Sequence, residues 1–277
     1  MTTATTPIPR SHKVFYAVIF IAAVVVAAGG LVAPKVLADM LPWFVLPPLH
    51  ARFLGAIYLF GALYMLGCLV ARSQDEVRYA LPLIALFGGM LLLVSVLNLG
   101  VFEFGTPPGS VWFASYIVYP IVALALFLRV PRPWPVDPAA PDLPGWAHAF
   151  LLVQGAVAAI LALLLFVVPA TVATNWPWPV TTFLAQAYAG PLLAYGIASL
   201  LASRFRTWRE VRALIPGMLA FTAVTLVASV VHSGVFGAFD AIDAAWFATF
   251  AVATVILGVM TVELVRHALA ARRAGVA

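Results

Sequence analysis

Eight side chains define what chemistry this chain can do: His50, Arg52, Asn98, Glu103, Gln186, Thr225, Ser229 and His232. Each sits in or beside an apolar run, where an unpaired polar group is costly and needs a reason. Thr222, Thr225, Ser229 and His232 are spaced 3, 4 and 3, which puts them on one face of a helix. Arg52 and Glu103 carry opposite charge and are a candidate ion pair. Two readings compete. In the first these groups glue helices: Ser and Thr bond back to their own turn, Asn, Gln and His bridge neighbours, Arg52 snorkels, and Asp240 with Asp243 caps a helix. In the second they line a ligand or ion site in a cavity that opens outward.

Catalysis has little to build on. There is no zinc-ligand spacing, no glycine-rich phosphate loop and no nucleophile elbow. The five histidines, His12, His50, His148, His232 and His267, are scattered. A haem held by His50 with His232, or by His148 with His267, is conceivable, but nothing in the spacing demands it. The expectation is no catalytic residue, no metal and no cofactor. No apolar run carries a carboxylate at its middle, which argues against a proton pump or cation antiporter built on central acids. The lone Cys68 rules out an intramolecular disulfide.

The elements that must position these residues are set by composition. Apolar residues make up 64% of the chain and charged residues only 9%, far from the balance of a soluble domain. Runs long enough to cross roughly 30 Å of hydrocarbon recur, and backbone in lipid must satisfy its own hydrogen bonds, so the runs are helices. Eight are expected, at about 14–33, 52–71, 80–98, 111–130, 147–168, 182–203, 211–231 and 245–265. The chain therefore reads as an all-α integral membrane protein. Its net charge of +5 comes from loops and calls for no nucleic acid. With both termini cytoplasmic, 13 of the 15 Lys and Arg residues fall on one side, leaving Lys35 and Arg52 on the other. That follows the positive-inside rule of a bacterial-type inner membrane. The first run is too long for the apolar region of a signal peptide and is read as a retained helix.

The eight runs form two copies of four. Val32, Pro34, Ala38, Pro42, Trp43, Val45 and Gly55 reappear 135 positions later as Val167, Pro169, Ala173, Pro177, Trp178, Val180 and Gly190. Gly61 and Leu66 meet Gly196 and Leu201. One residue is then dropped in a charged loop, and the offset becomes 134. Glu76-Val77-Arg78 pairs with Glu210-Val211-Arg212, Ser95 and Asn98 with Ser229 and His232, and Trp112 with Trp246. Four crossings per copy make the duplication parallel, with a pseudo-two-fold axis along the membrane normal. The organisation expected is a tail at 1–13, a module at 14–130, a Pro-rich linker at 131–146, a second module at 147–266 and a tail at 267–277. Trp43, Trp176 and Trp178 read as interfacial anchors. Gly55, Gly61, Gly190 and Gly196 read as points of close helix approach, each to a different neighbour. The fourth run carries Tyr116 and Tyr119. If the third and seventh helices face the axis, Asn98 and His232 converge on one cavity.

An apolar bundle with small loops and no catalytic signature points to a non-enzymatic membrane protein. The expected role is an accessory or scaffold subunit, or a binder of lipid or a small hydrophobe. The expected partners are membrane lipid and other integral membrane subunits. A small transporter or channel with an outward-facing site between the two modules is the alternative.

Overall fold

A computed structural model describes residues 6–44, 47–130 and 140–273. It is all-helical: among the described residues the only β features are two isolated bridges. The helices are α1 (Arg10–Val32), α2 (Pro34–Met40), α3 (Pro48–Val70), α4 (Ala80–Leu97), α5 (Pro107–Leu128), α6 (Gly145–Val167), α7 (Pro169–Thr174), α8 (Thr182–Ala202), α9 (Trp208–Val211), α10 (Ile215–Val231) and α11 (Ala241–Arg273). Every apolar run expected from the sequence is a helix. Seven are long and apolar enough to cross a membrane, and α10, with 17 residues, is shorter.

Local chemistry explains the boundaries. Pro34, Pro48, Pro107 and Pro169 open helices, where the missing N–H is not needed. The Thr106 and Thr181 hydroxyls accept from the amides of Gly109 (3.3 Å) and Leu184 (3.1 Å), capping α5 and α8. Asp240 accepts from the amides of Ile242 (2.7 Å) and Asp243 (3.0 Å) and so starts α11. That is the capping role one sequence reading gave this pair.

The long helices pack in two rows. One runs α5, α4, α8, α6, and the other α1, α3, α10, α11. Glycines set the closest approaches. A Cβ on Gly30 would fall 2.3 Å from the Ala51 carbonyl oxygen, which locks α1 to α3. One on Gly217 would fall 2.8 Å from the Phe60 carbonyl oxygen, which locks α10 to α3.

At one end of the bundle the two halves of the chain exchange charges. Arg78 binds Glu210 at 2.6 Å, while Arg209 (3.3 Å) and Arg212 bind Glu76. Arg209 also reaches Asp75 at 3.2 Å. The carboxylates are buried. Each glutamate also closes a turn: Ser73 donates to Glu76 at 2.8 Å, and Thr207 donates to Glu210 at 3.1 Å. The two β bridges lie beside these turns, Pro7 to Ser73 and Asp142 to Thr207. Thr6 and Pro7 are therefore held against the fold rather than loose, because the Gln74 amide donates to the Thr6 carbonyl at 2.9 Å. The Pro-rich segment 131–139 lies outside the described residues.

The opposite end is aromatic. Trp43, Trp176 and Trp178 are buried there, not set out as interfacial anchors. Trp43 meets Trp112 (5.2 Å) and Phe102 (5.1 Å), and Trp178 meets Trp246 (4.8 Å) and Phe53 (5.7 Å) between ring centroids. The Pro-Trp turns fold back over the helix ends, so the rings fill the bundle mouth. In each half one tryptophan is fixed by a serine: Trp112 donates to Ser95 at 2.8 Å and Trp246 to Ser229 at 3.0 Å.

Candidate binding site

The eight polar residues picked from the sequence gather near the aromatic end, and most of them bond other protein groups; the buried Thr225 hydroxyl has no partner among the described residues. Arg52, in the first turn of α3, hydrogen-bonds the His232 imidazole at the end of α10. Burial and the Arg52 charge both hold the His232 pKa below its usual 6.5. Glu103 is exposed and does not take Arg52 as its ion-pair partner. Asn98 caps α4 and donates to Val94 O at 2.8 Å and to Gln186 Oε1 at 2.9 Å. Gln186 in turn donates to Phe166 O at 3.3 Å. Asn98 and His232 therefore do not meet: Asn98 closes the packing of α4 on α8, and His232 that of α10 on α3. His50 is buried against Tyr188 (3.3 Å) and the edge of Trp178. Thr225 and Ser229 are buried, and Ser229 returns its proton to Thr225 O at 2.9 Å.

The principal cavity lies elsewhere. It encloses about 510 Å³ between α1, α3, α4 and α5, with Pro191 and Ala194 of α8 at its back. That volume is in the range of small-molecule sites. The walls are mostly Ile, Val, Leu, Met, Ala and Pro, with rings from Tyr58, Phe60, Phe87 and Trp112 and one serine, Ser115. The Tyr58 and Tyr116 hydroxyls bond each other. Tyr64 and Tyr119 also line the space, and no described residue accepts from or donates to their hydroxyls. None of the described residues in the lining is Lys, Arg, His, Asp or Glu.

Two local features open this space. α1 and α3 touch tightly at Gly30 and Gly55, but a methyl built on Gly61, two turns further along α3, would meet no atom within 4 Å. Pro120 inside α5 packs toward Gly88 of α4, 3.1 Å from where a Cβ would lie. The helices are thus pinned at points and spread between them. Val25, Met40 and Val111 line the cavity and are 49%, 40% and 67% exposed. They mark a side mouth between α1–α2 and α5. Sequence reasoning noted Tyr116, Tyr119 and Gly61 without joining them. The usable signal was four tyrosines in the first half, with Leu193, Ser199, Phe250 and Ala253, which lack the phenol, 134 or 135 positions later.

Compared with protein-family models, curated proteins and solved structures, the chain matches none of them.

Proposed function

We propose that this is a bilayer-embedded binding protein that takes a neutral, apolar molecule into the cavity of its first half. The observation that carries the reading is the open space at Gly61. Its counterpart Gly196 is closed: a Cβ there would lie 2.6 Å from Ala159 N. In the same way Leu41 at the first cavity is replaced by Trp176 in the second half, which packs on Trp246 at 5.4 Å. One half is hollow where the other is filled.

The architecture that fits this reading is eight crossings in two parallel copies of four. Its support is reciprocity. Glu76 and Arg78 are the counterparts of Glu210 and Arg212, and each glutamate binds the other copy's arginine, as in a two-fold interface. The Trp–Ser bonds, the glutamate-closed turns and the β bridges also recur at offsets of 134 or 135. The basic loops then face the cytoplasm of a bacterial-type inner membrane, with both termini inside. The cavity mouth, near Met40 and Pro107, faces the outer leaflet. A transport path between the halves has less to stand on, because Arg52, His232, Asn98 and Gln186 are engaged with one another. No specific observation favours a scaffold role.

The test is what the protein retains. Purified in mild detergent and extracted with organic solvent, the native protein should release a neutral lipid in near-stoichiometric amount, and Gly61→Leu should not. Equal lipid in both, with both folded, would refute the reading.

A further inference from the structure

We infer that the molecule held in this cavity carries a carbonyl head, of the quinone type, on an apolar chain. The inference rests on the binding reading above and adds what the site selects. A ligand drawn from lipid loses little by staying there, because acyl chains are as apolar as the cavity wall. Preference must come from polar contacts and shape. Charge is not among the contacts: the lining has no ionisable group other than tyrosine, and an unpaired ion would be costly at this depth.

The hydroxyls decide the rest. One of the Tyr58 and Tyr116 hydroxyls donates to the other, so the pair keeps one O–H unspent. Tyr64 is 7% exposed, and its hydroxyl has no partner among the described residues; the same holds for the Tyr119 hydroxyl. A phenol O–H that meets only an apolar cavity gains from an acceptor, so the site asks for one. A carbonyl oxygen supplies two lone pairs and brings no competing donor. The rings of Tyr58, Phe87, Trp112 and Tyr116 suit a flat head: the Trp112–Tyr116 centroids are 4.5 Å apart, and Phe87 stands edge-on to Tyr58 at 5.8 Å. The chain leaves through the side mouth at Val25, Met40 and Val111. The matching positions of the second half carry none of these phenols, and Ser199, in the place of Tyr64, donates to Leu151 O at 2.8 Å.

Tritiated decyl-ubiquinone, titrated into the full chain in phosphatidylcholine nanodiscs, is the direct test. One saturable site per chain is expected, with decylbenzene, which lacks the carbonyls, competing at least tenfold less well. Tyr64→Phe and Tyr119→Phe should each weaken binding about three- to fifteen-fold, the range of a hydrogen bond within a membrane. Tyr195→Phe, a buried second-half hydroxyl, should leave binding unchanged. If decylbenzene competes equally and both tyrosine variants bind normally, the carbonyl inference fails while the binding reading stands. Tighter binding of decanol than of the quinone would overturn the carbonyl in favour of a hydroxyl head. No saturable probe, together with no retained lipid, would end the binding reading too.

Discussion

Gly61 and Gly196 lie 135 positions apart, the offset of the proposed repeat, and the structure predicts opposite responses to the same substitution. Gly196→Ala places its Cβ 2.6 Å from Ala159 N and 3.0 Å from both Ala159 Cα and Gly155 O. All three are backbone atoms, so no side chain can turn aside, and α6 and α8 must part. Overpacking of this kind costs about 1–3 kcal/mol. Gly61→Ala meets nothing within 4 Å. Both substitutions gain about 1 kcal/mol of helix propensity, which cancels in the comparison. Gly61→Ala should therefore be neutral or stabilising, and Gly196→Ala less stable than it by about 1–3 kcal/mol. At roughly 2–4 °C per kcal/mol for a chain of this size, that is a gap on the order of 2–12 °C in Tm. Thermal unfolding of the two variants in one detergent reads it. Equal shifts, or a lower Tm for Gly61→Ala, would show that α1 and α3 close at Gly61 as α6 and α8 do at Gly196, and the cavity argument would fail.

Two other predictions concern the contacts that join the halves. Glu76→Gln leaves Arg209 and Arg212 facing a neutral amide and should cost about 2–4 kcal/mol. Arg212→Gln should cost less, because that guanidinium is 42% exposed and keeps much of its water; denaturation of both variants gives the order, and the reverse order would refute the assignment. His232 supplies a pH response. Its folded pKa is lowered by burial and by Arg52, so below about 6.5 the unfolded chain takes up a proton that the folded protein resists. Stability should hold above pH 6.5 and fall as the pH drops from there toward the folded pKa. Tm against pH from 8 to 5 should slope less for His232→Asn than for the native protein, and identical slopes would exclude the contact.

Hydrophobic run length made the helices legible, because lipid admits little else. Trp112 and Trp246, 134 positions apart, bond Ser95 and Ser229, also 134 apart, and the proposed repeat draws its support from coincidences of this kind. The site was harder to see. Polar residues draw attention in an apolar sequence, yet His232, Asn98 and Gln186 are used to close helix ends. An empty volume has no residue of its own. It arises where α1, over the turns before Gly30, stands off from α3 and where Pro120 fixes the spacing of α5 from α4, and neither separation is encoded by periodicity. Trp43, Trp176 and Trp178 were misleading for a related reason. Tryptophan at a membrane border favours the headgroup level, but these lie on turns that fold inward, and burial among other rings outweighs that preference. The difference between the halves at Gly61 and Gly196 appears only once their neighbours are known.

The most direct measurement is an electron cryo-microscopy map of the protein in lipid nanodiscs, after extraction in mild detergent. The account predicts a single elongated non-protein density between α1, α3, α4 and α5, its head beside Tyr64, Tyr116 and Tyr119, and none between α6, α8, α10 and α11. A first-half space closed by α1 packing on Gly61, or equal densities in both halves, would contradict it.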